Sequence, residues 1–335
     1  YMPTVYPSIV IGEENSVHVL FDVFINEDYD LSAHYGVKKG AIWSFEEIFS
    51  PESEKYSTQS GVHALALDHN GDPHVAITSN LHAYYADKKS GNWIAVRLGE
   101  HASGKMGIAV DSDDSVHISI PVSSVGICYA TNKTGEWNVI SIPGTTDIVK
   151  WDYNCPIALD LEDNVHITYG NRKTLYYVTN VTGEWVTNKF NRKITYTDIL
   201  VDSNDYVHVV YSEEANTEPG LGYATNKNGQ WEFENISVEP EGVGSLVLEL
   251  DADLDPEGNV SVFYQSYWSP NRIYVATNES GNWETERVDN LGGYFFSMAL
   301  DSLRVYHMVA YSYDEAYYAT NASGKWAIEE LEPWK

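Results

Sequence analysis

A chain of 335 residues is long for one ordinary domain, although closed all-β folds reach this length as single units. Apolar residues make up 43%, and 25 Tyr with 10 Trp give the aromatic content expected of sheets packed face to face. Only 20 Lys and Arg stand against 49 Asp and Glu, a formal charge of −29 at pH 7; such a field repels nucleic acid and anionic membranes, which excludes both as partners, and it attracts cations.

No apolar run approaches the ~18 residues of a membrane span, so no membrane insertion is expected. The chain starts at Tyr1 with no initiator methionine and no signal-peptide core, which fits a processed mature form and equally a trimmed chain. Seven copies of one segment follow in order: HYGVKKGAIW (34–43), YYADKKSGNW (84–93), CYATNKTGEW (128–137), YYVTNVTGEW (176–185), GYATNKNGQW (222–231), YVATNESGNW (274–283) and YYATNASGKW (317–326). The closing tryptophans, Trp43, Trp93, Trp137, Trp185, Trp231, Trp283 and Trp326, are spaced 43 to 52 residues apart, the length of one propeller blade. Between these segments runs a second motif, an apolar stretch ending in Asp, a short turn and an apolar–His–apolar strand, as in IAVDSDDSVHISI (108–120) and IALDLEDNVHITY (157–169). Each blade thus comprises strand a ending in Asp, strand b carrying His, strand c ending in ATN and strand d opening with Trp. The a–b and c–d connections, rich in Asn, Gly and Asp, are hairpin turns. The expected fold is all-β, a single seven-bladed β-propeller over 1–335, with four antiparallel strands per blade. Blades fall at about 5–50, 61–99, 105–143, 155–191, 197–238, 245–289 and 296–332. Small residues on one face of strand a, such as Gly107 and Ala109 or Ala64 and Ala66, place that strand nearest the axis. Each blade is then contiguous in sequence, and closure rests on packing of blade 7 against blade 1, helped by the Tyr1–Pro7 lead-in.

The pairs Asp68/His74, Asp111/His117, Asp160/His166, Asp202/His208 and Asp301/His307 recur, degenerate at Asp255/Ser261, while blade 1 keeps only His18. A catalytic dyad is needed once; a device present in nearly every blade is architecture, a buried imidazole finding its acceptor across a hairpin. The sequons at Asn132, Asn180, Asn278 and Asn321 fall in the repeated turn, with two more at Asn235 and Asn259. Cys128 and Cys155 have no zinc or redox spacing; one disulfide and two buried thiols both fit.

Strings such as DSDDSVHISI followed by YATNKTGEW resemble a family of repetitive bacterial and archaeal secreted propellers. The resemblance spans essentially the whole chain and implies an extracellular propeller, secreted or at the cell surface, with no settled activity. Asp-box sialidases, seven-bladed bacterial lectins and propeller-type ulvan lyases are similar in architecture only, and no S-x-D-x-G-x-T-W box is present.

A ligand site belongs where the copies differ, on the face carrying the longer d–a and b–c connections. There PGTTDIVKWDYN contributes Trp151 and Tyr153, QSYWSPNR contributes Tyr267, Trp268 and Arg272, and DNLGGYFF contributes Tyr294 and Phe295. Aromatic rings beside polar groups stack sugar rings, and equally bury their own loops. On strand a, Asp251, Asp253 and Asp198 replace small residues, and carboxylates facing a narrow channel either hold a cation such as Ca2+, raise one another's pKa or are simply solvated. Asn26, Asp28 and Asp30 in FINEDYDLS have calcium-loop spacing without the Gly and distal Glu. The expected function is a non-catalytic extracellular module that binds glycan through the loop face. The alternatives are a structural cell-surface or filament-associated protein meeting protein partners, and a polysaccharide lyase or glycosidase. For a lyase, His101 with Arg97 or Tyr196 with Arg192 are the nearby sets, and the acidic field disfavours anionic polymers.

Overall fold

The computed structural model describes residues 5–24, 31–49, 61–79, 81–88, 91–123, 125–146, 154–213, 220–236, 247–266, 272–288, 295–312 and 315–332. These form seven antiparallel four-stranded blades in the order a–b–c–d, each contiguous in sequence. Strands a are Ser8–Ile11, Gly61–Leu67, Gly107–Val110, Ile157–Leu159, Ile194–Val201, Val247–Leu254 and Phe295–Leu300. Neighbouring strands a contact one another around the axis, blade 7 meeting blade 1. The lead-in departs from the sequence expectation. Val5–Tyr6 pairs in parallel with Gly61–Val62, as a fifth strand on blade 2, so blade 1 begins at Ser8. The Tyr6 ring meets Phe295 of blade 7 edge-on at 4.7 Å.

Each blade closes through local turn chemistry. In blade 3, Asp111 Oδ1 accepts the N–H groups of Asp113 and Ser115 at 3.0 and 2.7 Å, which fixes the a–b turn. Asn132 Oδ1 accepts Val116 N–H at 2.7 Å, tying the c–d turn to the start of strand b. Asn180, Asn226, Asn278 and Asn321 do the same. Asn226 lies outside any sequon, so this bond accounts for the recurring Asn by itself. The following Gly135 has φ of 90° with open space around its α-carbon, so backbone conformation rather than crowding requires glycine there.

Above these turns sits a buried trio. His117 Nδ1 lies 2.5 Å from Tyr129 Oη and Nε2 lies 3.1 Å from Asp111 Oδ2. The Tyr–His contact recurs at His18/Tyr35, His74/Tyr85, His166/Tyr177, His208/Tyr223 and His307/Tyr318. In blade 1, Ser16 stands in for Asp, 2.9 Å from His18 Nε2. Blade 6 has neither partner, carrying Ser261 and Val275 at the His and Tyr positions. Tyr306 of blade 7 fills the gap, its hydroxyl 3.0 Å from Ser261 Oγ.

The same tyrosines hold the blades together. Each Trp meets the strand-c Tyr of the preceding blade: Trp93 on Tyr35 at 5.4 Å, Trp137 on Tyr85 at 4.7 Å, Trp185 on Tyr129 at 5.1 Å. Trp231, Trp283 and Trp43 pack likewise on Tyr177, Tyr223 and Tyr318, the last contact closing the ring from blade 7 to blade 1. Trp326 instead meets Phe263 and Tyr306, following the substitution in blade 6. Indole N–H groups of Trp43, Trp93 and Trp283 reach Glu329, Glu46 and Glu234 on strand d of the preceding blade. On the turn face the a–b turns join as well: Ser112 N–H donates to Asp163 Oδ1 at 3.0 Å and Leu161 N–H to Asp205 Oδ1 at 2.8 Å. Asp163 and Asp205 hold φ of 61°, a left-handed conformation Asp tolerates, which aims the carboxylate at the preceding blade.

The trio predicts graded costs. His117→Ala leaves Asp111 and Tyr129 without their buried partner and should lower unfolding free energy in urea by ~1–3 kcal/mol. Ser261→Ala removes one neutral bond and should cost under about 1 kcal/mol. Equal losses at the two positions would show that the histidine is not a structural hub.

Candidate axial site and loop face

Strand a of each blade has only one strand neighbour in its own four-stranded blade, so its inward edge leaves backbone groups to be satisfied from the next blade. Side chains on the axis do this. Ser8 Oγ accepts Leu65 N–H at 3.2 Å, from blade 1 to blade 2. Ser119 Oγ donates to Cys155 O, from blade 3 to blade 4. Asn154 Nδ2 donates to Thr197 O at 2.5 Å, reaching blade 5.

Around blades 5 to 7 the acceptors are carboxyl groups. Asp198 Oδ2 accepts Ala252 N–H at 2.9 Å. Asp251 and Asp253 Oδ2 accept Met298 and Leu300 N–H, each at 2.8 Å, and Glu249 Oε2 accepts Phe296 N–H at 3.3 Å. Asp198, Asp251 and Asp253 line an axial cavity of about 480 Å³ together with Lys105 and Asn154. The sequence expectation placed the three aspartates on the axis, and they are there. Glu249 is the group it missed; its i, i+2, i+4 spacing with Asp251 and Asp253 along one strand face was the available signal. Among the described residues, no three His, Cys, Asp or Glu side chains converge closely enough to hold a metal ion by themselves.

Burial sets the protonation of these groups. It pushes the Glu249 carboxyl up to about 8 and Asp253 to about 6, against their backbone hydrogen bonds. Burial, then the charge and hydrogen bond of Asp251, hold Asp198 well above the usual carboxylate range. Lys105 pulls Glu249 and Asp198 the other way.

The loop-face candidates divide. Trp151, Tyr153, Tyr267, Trp268 and Tyr294 lie outside the described residues, as do Asn26, Asp28 and Asp30. Arg272 opens strand c of blade 6, half-buried and opposite Ser266. Phe295 opens strand a of blade 7 and packs on Tyr6 and the core shared by blades 7 and 1, so its ring is structural. Of the basic residues named for a lyase, Arg97 bonds Glu100 at 2.7 Å, while Arg192 lies 3.5 Å from Glu213 and over Phe233. The cysteines are free thiols, Cys155 fully buried with its pKa raised by burial to about 12.

Opposite pH limbs follow. Glu249 and Asp253 have folded pKa values above their unfolded ones, so the stability they contribute is complete below about pH 4 and is lost as pH rises through about 6 and then 8. The buried histidines His18, His117, His166, His208 and His307 have folded values lowered by burial, His18 to about 4. The unfolded chain therefore binds more protons there, and stability is lost as pH falls below about 6.5. Glu249→Gln should melt higher than the parent at pH 9 and no higher at pH 5. A parallel offset at both pH values would show that Glu249 is not protonated in the fold.

No family model matches the chain, and no curated protein matches it in sequence. Solved structures do match in shape. A lectin from Burkholderia pseudomallei aligns over 99% of this chain and 100% of its own, with 12% identity and a TM-score of 0.69. An ulvan lyase, a polysaccharide lyase, aligns over 99% and 96% with 10% identity and a TM-score of 0.60. The lectin of Aleuria aurantia, solved with α-methyl-L-fucoside, aligns over 84% and 97% with 10% identity and a TM-score of 0.56. At such identities the likeness is one of fold: this chain is a seven-bladed β-propeller, with the blade count fixed by its own strands.

Proposed function

We propose that this propeller is an extracellular glycan-binding module, secreted or displayed at the cell surface, that engages carbohydrate through its loop face. The observation that carries the reading is the division of the repeat. Trp, Tyr, His and Asp residues that recur are consumed by packing between and within blades. Trp151, Trp268 and Tyr294 lie outside the repeat, within its longer d–a and b–c connections. Likeness in fold to lectins supports the class, and the Aleuria structure with a methyl fucoside supports a neutral sugar as its first probe. The ulvan lyase likeness supports a polysaccharide lyase as the second reading. A surface protein as partner is the third.

Calcium in the axial cavity is a further part of this proposal, supported by Asp198, Asp251 and Asp253 on its wall; water would have to complete the shell. A tight site requires the melting temperature to rise with calcium and fall on exhaustive chelation, because a ligand of the native state stabilises by mass action. An unchanged melting temperature removes calcium from the proposal.

For the glycan site, Trp151→Ala and Trp268→Ala should keep the parent's melting temperature and each lose ~1–3 kcal/mol of affinity for array-positive glycans. Unaltered binding by both variants would refute the aromatic-loop site, and unfolding would assign the rings to packing. A silent array turns the reading to a protein partner; release of unsaturated products from a uronate polymer turns it to a lyase.

A further inference from the structure

Strand d is the outermost strand of each blade, paired with strand c on one side only, so its outer edge offers unpaired backbone N–H and C=O groups. Soluble proteins guard such edges with charge, and most blades here do so. Strand d carries Glu46 and Glu47 in blade 1, Glu232 and Glu234 in blade 5, Glu284 and Glu286 in blade 6, and Glu329 and Glu330 in blade 7. Lys189 takes that part in blade 4. Blades 2 and 3 depart from the rule. In Ile94–Glu100 the one carboxylate, Glu100, is bonded by Arg97 at 2.7 Å, and Asn138–Ser141 holds no charge at all. Ile94, Val96, Val139 and Ile140 are 36% to 52% exposed, so the described part of the ring leaves them uncovered.

Two of these side chains stand at a position that has a task elsewhere. The third residue after the strand-d Trp is Glu46, Glu234 and Glu329 in blades 1, 5 and 7, and each accepts the indole N–H of the Trp in the following blade. In blades 2 and 3 that residue is Val96 and Ile140, so Trp137 and Trp185, both half-buried, have no glutamate there to accept the indole N–H. Two consecutive seams thus exchange a guarding charge for an exposed aliphatic side chain.

We infer that the rim of blades 2 and 3 is a self-association surface, where two copies of this chain meet as an isologous dimer centred on strand d of blade 3. Charge decides the occupant. A chain of −29 repels an anionic partner from any side. A cationic partner is drawn to the glutamate-edged blades rather than to a stretch where the carboxylates are missing. A second copy carries the same −29 and approaches closely only where both surfaces are free of charge, which is this rim. It also brings the same aliphatic side chains and the same open edge, so apolar area meets apolar area and one unpaired edge meets another. Strand d of blade 3 suits the centre, because it runs in register with strand c without a bulge and is exposed at every residue. The inference uses none of the loop-face residues and stands apart from the glycan reading.

Sedimentation equilibrium over a wide range of protein concentration, at low and at high salt, tests it. The parent should pass from monomer to dimer as concentration rises. Salt should tighten the association, because it screens the repulsion between two −29 chains and leaves the apolar contact intact. Val96→Glu and Ile140→Glu introduce the residue that blades 1, 5 and 7 carry at this position, which the fold already accepts. Together they should weaken association at least about tenfold, with the melting temperature of the monomer kept or raised. Val139→Ala with Ile140→Ala, which adds no charge, should weaken it as well, and decides the matter if the glutamate pair fails to fold. The proposal is overturned if the parent stays monomeric throughout or forms larger open assemblies. It is equally overturned if a folded variant pair associates like the parent, or if salt dissociates the dimer.

Discussion

One aromatic contact organises this molecule: in six of the seven blades the Trp that opens strand d packs against the strand-c Tyr of the blade before it. A four-stranded sheet has two faces to cover and cannot cover either alone. The indole supplies apolar area to the neighbour while its N–H, in several seams, finds a glutamate at the rim. The tyrosine that receives it is held from behind by a buried histidine, and the histidine by the aspartate that shapes the a–b turn. Turn geometry, blade core and blade-to-blade packing are thus one connected network, repeated around the ring.

Blade 6 tests that logic. It lacks the histidine and the tyrosine together, and the loss is met by Phe263 within the blade and Tyr306 from the next one. The pair varies as a unit because each half alone would strand a buried polar atom. At the axis the problem differs, since the inward edge of each strand a leaves backbone groups to be met from the next blade. There short polar groups serve blades 1 to 5 and carboxyl groups serve blades 5 to 7, protonated in part because burial makes their charge costly.

Much of this was legible in the sequence for a physical reason: a device used in every blade is written many times. The tryptophan spacing carried blade count, strand order and contiguity. The Asp–His spacing carried the a–b hairpin and the burial of the imidazole. The tyrosine partner was in plain view, close ahead of the turn asparagine in most copies, and the joint absence of His and Tyr from blade 6 was the signal that couples them. What the sequence does not carry is contact between blades that depends on their relative height. That is why the aspartates on strand a were placed on the axis while their bonds to Met298 and Leu300 were not foreseen, and why the lead-in was assigned to blade 1. Singular features have no repeats to average over, so the loop-face aromatic residues stand out in the sequence only by departing from the motif.

The lead-in also changes how the ring would bear load. Val5–Tyr6 runs parallel to Gly61–Val62, and its tyrosine ring rests on Phe295. Tension applied through the chain ahead of Val5 therefore does not peel blade 1 from its edge. It is shared at once between the second and the seventh blades, on either side of the first. The closing seam of the ring, where a contiguous propeller has no exchanged strand, is thereby spanned by a segment that touches both the second and the seventh blades.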